Sequence, residues 1–284
     1  VTTTTSWRTI LMICASTTLV VIGDAAGTKL TAAGFSQTFV AWARFALAAI
    51  LIAPFCGVRL AETPKFFDWR LILRGALISA AVICILQALR TEPMANVFGG
   101  FFVSPIVSYF LSALVLKERI TLPRTLLLLV SFAGVLIVVR PGFGMSAGML
   151  TALLAGALHG SYLVATRWLA GGYRPRFLLL SQLVIGGVLL IPFAFAALPP
   201  ITGWAVLFLV ISSLGSAGGN MLLVLVNRVT PAGVVAPLIY FQLVAAVGVG
   251  WVAFGQWPDL ISLTGLTIIA VAGVSSVWFA GRGR

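Results

Sequence analysis

The stretch "RTEPMANV", Arg90–Val97, is a charged interruption in an almost continuously apolar chain, and it returns 138 residues later as "RVTPAGVV", Arg228–Val235. Both read Arg, two residues, Pro, three residues, Val. Proline has no N–H to offer and a φ already suited to a helix, so it fits the first turn of one. Pro93 and Pro231 therefore read as helix starts, each closing a tight turn between two apolar runs. A turn of this kind, found twice, raises the question of whether the whole chain is duplicated at that offset.

The surrounding composition identifies the solvent. Of 284 residues, 61% are hydrophobic and 8% are charged, against about 25% charged in soluble proteins. A soluble domain of this size could not cover its surface with so few polar groups, so that class is excluded. The formal net charge of +12 invites a nucleic-acid partner. Lys and Arg form no stripe with interleaved aromatics, however; they sit in the gaps between apolar runs, where membrane topology places them. Cys14, Cys56 and Cys84 lie within apolar runs, without metal or disulfide spacing, and read as small packing residues. Arg8, an apolar stretch and "GDAAG" mimic a signal peptide. The counterpart of this segment in the second half argues for a retained span instead.

A helix needs about 20 apolar residues to cross the hydrocarbon. Cutting at charges, prolines and glycine clusters predicts ten spans: 9–28, 36–57, 70–89, 94–116, 122–140, 147–169, 176–197, 203–226, 231–255 and 260–280. The 138-residue offset lays the first five on the last five. It also matches Pro54-Phe55 with Pro192-Phe193, Gly34 with Gly172, Lys29 with Arg167, and Glu118 with Gln256. The expectation is an all-α membrane protein of two repeats, 1–142 and 143–284. Five spans per repeat is an odd number, so the second repeat enters from the opposite side, the inverted arrangement common in secondary transporters. With the N-terminus inside, 14 Lys and Arg fall inside and 3 outside, Arg44 lying within span 2. Both termini are then cytoplasmic. The two proline hairpins then read either as plain helix-hairpin turns or as matched moving units on opposite faces of the membrane.

"SPIVSYFLSALVLKERITLPRTLLLLVSFAGVLIVVRPG", Ser104–Gly142, resembles the end of an EamA-type repeat of the drug/metabolite transporter superfamily. The carrying features are Pro105 in mid-helix, the Glu118-Arg119-Ile120-Thr121 turn and Gly134 in the last helix. The second copy, Ala236–Ser276, departs from the pattern, with Leu243 for the proline and Gln256 for the glutamate. The chain looks most like the YddG-type branch, described as exporters of aromatic and other amino acids. The resemblance implies ten helices, two inverted five-helix halves, and a central cavity that opens alternately to each side.

Ionisable groups within spans are functional candidates because hydrocarbon penalises them. Asp24, about 22 Å along span 1 at the helical rise, reads either as a coupling site or as an interfacial acid partnered by Lys29 or water. His159 lies about 18 Å into span 6, with Tyr162 on the same face. The pair reads as cavity wall or as a helix-packing hydrogen bond; a lone histidine builds no metal site. Arg44, whose repeat mate is Gln182, could clamp a carboxylate, or snorkel and bond backbone carbonyls. Pro105 and Pro237 free backbone carbonyls in mid-span and are candidate hinges. Gln242 with Tyr240, Asn220 beside "GSAGG", and the deep rings of Trp42, Phe101, Phe102 and Trp251 complete the candidate substrate set. The glycines before Asn220 suit close helix packing. Trp7, Trp69, Trp204 and Trp278 fall near span ends, as an interfacial belt would.

The expected function is export of small amphipathic metabolites, amino acids foremost, across a bacterial inner membrane. The mode is alternating access by facilitated diffusion or exchange, with weak or no ion coupling and no cofactor. A proton-coupled exporter of drugs or cations is the alternative. A lipid-modifying enzyme would need clustered ligands or a nucleophile–base set, and a channel would need symmetric polar rings; neither is written here. The expected partners are the substrate and the bilayer, and the expected state is a monomer.

Overall fold

The computed structural model describes residues 7–58, 60–117, 122–139, 145–169, 171–195, 201–229 and 239–282. Among these there are helices and no strands, as hydrocarbon requires of a chain that must satisfy its own backbone. The first half holds α1 (Trp7–Ala32), α2 (Gln37–Cys56), a 3-10 turn (Leu60–Phe67), α3 (Trp69–Ala88), α4 (Met94–Phe101), α5 (Ser104–Val115) and α6 (Leu122–Val139). The second holds α7 (Ala147–Leu169), α8 (Pro175–Ala194), α9 (Gly203–Val229), α10 (Phe241–Phe254) and α11 (Leu260–Arg282).

Local chemistry sets several of these boundaries. The Ser36 hydroxyl accepts from the Phe39 amide at 3.1 Å and opens α2, the usual job of an N-cap serine. Gly57 closes α2 in the left-handed region at φ 53°. Asp68 caps α3, accepting from Arg70 N at 2.9 Å. Tyr173 donates to the same carboxylate at 2.5 Å, and these bonds hold Asp68 below the usual carboxylate range. Gly255, at φ 66°, ends α10 with its N–H on the Trp251 carbonyl.

Among the described residues, seven helical segments are long and apolar enough to cross a membrane: Trp7–Ala32, Gln37–Cys56, Trp69–Ala88, Met94–Val115, Ala147–Leu169, Pro175–Ala194 and Gly203–Leu223. Leu128–Val139, Phe241–Phe254 and Leu260–Ala272 are shorter apolar helices among the described residues. Large apolar side chains face outward along these helices: Val252 is 82% exposed, Leu114 78% and Ile50 68%. Surface of this kind is tolerable only against lipid. Trp7, Trp69 and Trp204, expected at the interface, are all exposed near helix ends.

The 138-residue offset reappears in the helix boundaries. α2 and α8 span Gln37–Cys56 and Pro175–Ala194, position for position. α6 and α11 begin at Leu122 and Leu260, again 138 apart. The pairings repeat as well. α1 packs on α9 and its counterpart α7 packs on α3; α2 meets α9 and α8 meets α3; α5 meets α7 and α10 meets α1. α2–α8 and α6–α11 pair each element with its own counterpart. Exchanging the halves therefore maps this set of contacts onto itself.

A close seam joins α1 to α9 through small residues. A Cβ on Gly219 would lie 2.6 Å from the Ser16 carbonyl, and one on Gly215 2.6 Å from that of Leu19. Backbones this close let hydroxyls bridge: Ser16 donates to Gly219 O at 2.6 Å and Ser212 to Gly23 O at 2.8 Å. This is small-residue packing, and it accounts for the "GSAGG" stretch. Gly219→Val should push the two helices apart and cost about 1–3 kcal/mol of stability by overpacking. Thermal unfolding in detergent would register it, and an unchanged midpoint would contradict the seam.

Candidate functional site

The fourth apolar segment is one run in sequence and two helices in space. α4 ends at Phe101, Phe102 and Val103 form a turn, and α5 starts at Ser104. Pro105 is the reason: it has no N–H to return to the Phe101 carbonyl, and its ring crowds the turn before it. In the second half, Tyr240 interrupts the helix immediately before α10. Phe102 and Tyr240 are 138 residues apart, and their rings face each other at 5.0 Å. The two breaks therefore meet ring to ring. Broken helices at mid-depth are where transporters commonly expose polar backbone to a substrate. Pro237 lies outside the described residues.

α7 runs in backbone contact with the first break. A Cβ on Gly156 would sit 2.5 Å from the Phe101 carbonyl, and one on Gly160 2.6 Å from that of Ser104. Between them, midway along α7, His159 Nδ1 hydrogen-bonds the Ser104 hydroxyl at 2.9 Å. Its ring lies 4.9 Å from that of Phe101 and 5.7 Å from that of Tyr162. His159, Tyr162 and Thr166 recur at spacings of three and four, so they share one helix face. The His159–Tyr162–Phe101 grouping expected from sequence is thus assembled at the break.

One turn further, Tyr162 enters a second cluster built around Arg74 of α3. The Arg74 guanidinium donates to Gln182 Oε1 at 2.7 Å, Thr166 Oγ1 at 2.8 Å, the Leu178 carbonyl at 2.8 Å and the Tyr162 hydroxyl at 3.0 Å. Tyr162 in turn donates to Gln182 Oε1 at 2.5 Å. Arg74 is 3% exposed. It is one of the 14 basic residues assigned above to the inside, and the structure buries it within α3 instead. Its place five residues into α3, about 8 Å along the axis at the helical rise, was the available signal. Its acceptors come from α7 and α8 and were invisible locally.

The other half answers position by position. Asp24, Thr28 and Arg44 are the 138-residue mates of Tyr162, Thr166 and Gln182. Arg44 Nη1 and Asp24 Oδ1 form a salt bridge at 2.5 Å, with both side chains about 5% exposed or less. Asp24 is therefore paired with Arg44, and Lys29 instead stands 4.7 Å over the Phe254 ring. The carboxylate that Arg44 clamps is supplied by the chain itself. Each half thus holds a polar cluster at matching positions. One is neutralised by its own acid; the other carries a cation held by neutral acceptors.

The remaining candidates are dispersed. Trp42 packs in an aromatic group with Phe39 and Phe195, its ring 4.7 Å from the latter. Asn220 bonds the Ser216 carbonyl one turn back on its own helix at 2.8 Å. Gln242 sits half-buried in the first turn of α10. Trp251 is 59% exposed, beside Trp257. Sequence reasoning overlooked Asn96 of α4, whose buried Oδ1 has no hydrogen-bond partner among the described residues. A cavity of about 680 Å³ opens between α1, α9 and α10, lined by Thr18, Ile22, Phe208, Phe241 and Val244. Thr18 and Ile22 are the mates of Gly156 and Gly160. Side chains line a cavity in one half where glycines allow backbone contact in the other. Among the described residues, no group of three or more His, Cys, Asp or Glu could hold a metal.

The model of the EamA-like transporter family matches residues 7–140 and again 146–278. The chain belongs to this family and is a multi-pass membrane transporter rather than an enzyme. It is similar to the pseudopaline exporter CntI of Pseudomonas aeruginosa, 27% identical over 212 residues, 71% of this chain and 72% of that one. It is also similar to an S-adenosylmethionine uptake transporter of Rickettsia bellii, 26% identical over 241 residues, 82% and 81% of the two chains. A solved crystal structure shares the fold at a TM-score of 0.67 and 15% identity, covering 98% of this chain and 99% of its own.

Removing one member of a buried ion pair costs roughly 3–5 kcal/mol, because the other charge is left unpaired. Arg44→Met alone should therefore unfold far below the wild type in detergent. The double substitution with Asp24→Leu should recover most of the loss. A double variant no better than the single would show that the pair acts other than by mutual neutralisation.

Proposed function

We propose that the protein is an alternating-access exporter of small amphipathic metabolites, amino acids including aromatic ones foremost, in the manner of the YddG-type branch. Its two five-helix halves are related by inverted topology, span the membrane ten times, and divide at about residue 142. Both termini lie on the cytoplasmic side of a bacterial inner membrane, and the chain acts as a monomer. The observation that carries this reading is the meeting of the two helix breaks at Phe102 and Tyr240, ring to ring. A carrier with exchangeable halves needs such a point, where one broken helix can part from the other. The unequal packing on either side of it, a cavity on α1 and backbone contact on α7, is what two halves caught in different positions would produce.

Substrate passes the break against His159, Tyr162, Phe101 and Tyr240, with Pro105 and Pro237 as hinges; Gln242, Asn220 and Trp42 flank the path. Arg44 and Asp24 neutralise one another, which supports transport with weak or no proton coupling. The relatives bear on the substrate class as well. One is named as a pseudopaline exporter and the other as an S-adenosylmethionine uptake transporter, which supports a metabolite as the cargo.

Counterflow in proteoliposomes tests this. Vesicles loaded with unlabelled amino acid should take up labelled phenylalanine, methionine or threonine saturably, faster than empty vesicles, and alike at two pH values. His159→Ala should slow entry at least tenfold in protein that still elutes as a single folded species. Entry that is indifferent to internal amino acid for every substrate would end the amino-acid reading. A rate that follows an imposed proton gradient would favour the coupled drug or cation exporter.

A further inference from the structure

The two matched polar clusters differ in charge, and the difference defines a ligand. Around Asp24 and Arg44 the charges cancel. Around Arg74 the partners are two hydroxyls, an amide oxygen, a backbone carbonyl and the Tyr162 ring at 4.9 Å. All are neutral, and among the described residues no carboxylate contacts the guanidinium. A 3%-exposed guanidinium without a counter-ion is costly at low dielectric. Its planar fork is shaped for the two oxygens of a carboxylate. Arg74 also lies within reach of the transport path. Tyr162 links it to His159, and His159 to Ser104 at the break.

We infer that Arg74 is the residue that recognises the substrate's carboxylate. This rests on the carrier reading given above. When α3 and α7 separate, the fork exchanges the Thr166 and Tyr162 hydroxyls, both on α7 and bound to Nε and Nη2, for the two carboxylate oxygens. When they close without substrate, Tyr162 and Thr166 take those places back. The neutral acceptors act as placeholders: they satisfy the guanidinium in the empty carrier and bind it less strongly than an anion does. Arg44 already holds a carboxylate, that of Asp24, through Nη1, while its buried Nε has no hydrogen-bond partner among the described residues. The site therefore selects acids over their amides and over the corresponding decarboxylated amines. Its bare cation accepts any small monocarboxylate whose remainder fits beside the Phe101, His159 and Tyr162 rings.

The test is competition in the same counterflow assay, with phenylalanine set against phenylalaninamide and phenethylamine. In the wild type the acid should compete at least tenfold better than either analogue. Arg74→Gln should bring the three within about twofold of one another, and Arg74→Lys should keep part of the preference. Should the Gln variant fail to fold, the Lys variant carries the same comparison, since it retains the charge and loses the fork. A wild type that carries phenylalanine without preferring it to the amide overturns the assignment. So does a folded Arg74 variant that keeps the full preference. Absence of wild-type counterflow with any amino acid is a different result: it sinks the carrier reading, and this assignment with it.

Discussion

Hydrocarbon offers no hydrogen bonds, and the whole structure answers to that. A backbone group or charge left without a partner there costs several kcal/mol, so helices absorb nearly all the backbone polarity. What they cannot absorb is confined to a few places. Pro105 opens one of them by withholding an N–H from the Phe101 carbonyl. That carbonyl ends up against Gly156, where α7 has no side chain in the way. The polarity is covered by protein rather than exposed to lipid, the condition under which a broken helix survives in a membrane. The break and the glycine opposite it form a single device.

The same constraint explains why the polar residues gather in two groups. Asp24, Thr28 and Arg44 form one, and Tyr162, Thr166, Gln182 and Arg74 the other. A lone charge on one helix would have to reach the interface or stay unpaired, and neighbouring helices solve this by supplying partners. In the first group the partner is an acid of opposite charge. In the second, four neutral acceptors share one guanidinium. Matching positions in the two halves thus hold chemically different solutions to one problem, so the halves share a fold while presenting different chemistry to what passes between them.

Much of the fold was legible because composition and spacing carried it. Apolar runs of membrane length had to be helices, and Pro93 and Gly57 stand at helix ends as such residues commonly do. The offset read from Arg90 and Arg228 reappeared in α2 and α8, which match position for position. Part of the site was legible for a similar reason. His159 and Tyr162 are neighbours on one helix face, and Pro105 must disturb its helix wherever it is placed. Arg74 was not legible. In sequence it stands near Trp69 and Arg70, at the start of a span, where a basic residue ordinarily faces water or lipid headgroups. Its acceptors Thr166, Leu178 and Gln182 lie 92, 104 and 108 residues away.

The sequence by itself determined the solvent, the helical class, the duplicated plan and the short inventory of polar groups within the spans. These depend on local chemistry, on what each residue can do beside water, lipid or its own helix. Only the tertiary structure decided which of those groups meet. It paired Asp24 with Arg44, leaned His159 on Ser104, set Phe102 against Tyr240 and gave Arg74 neutral company. Such choices depend on helices far apart in the chain approaching closely enough to bond. That approach is set by small residues such as Gly23, Gly215 and Gly219; the sequence marked the "GSAGG" glycines for close packing, but not the backbone they would meet.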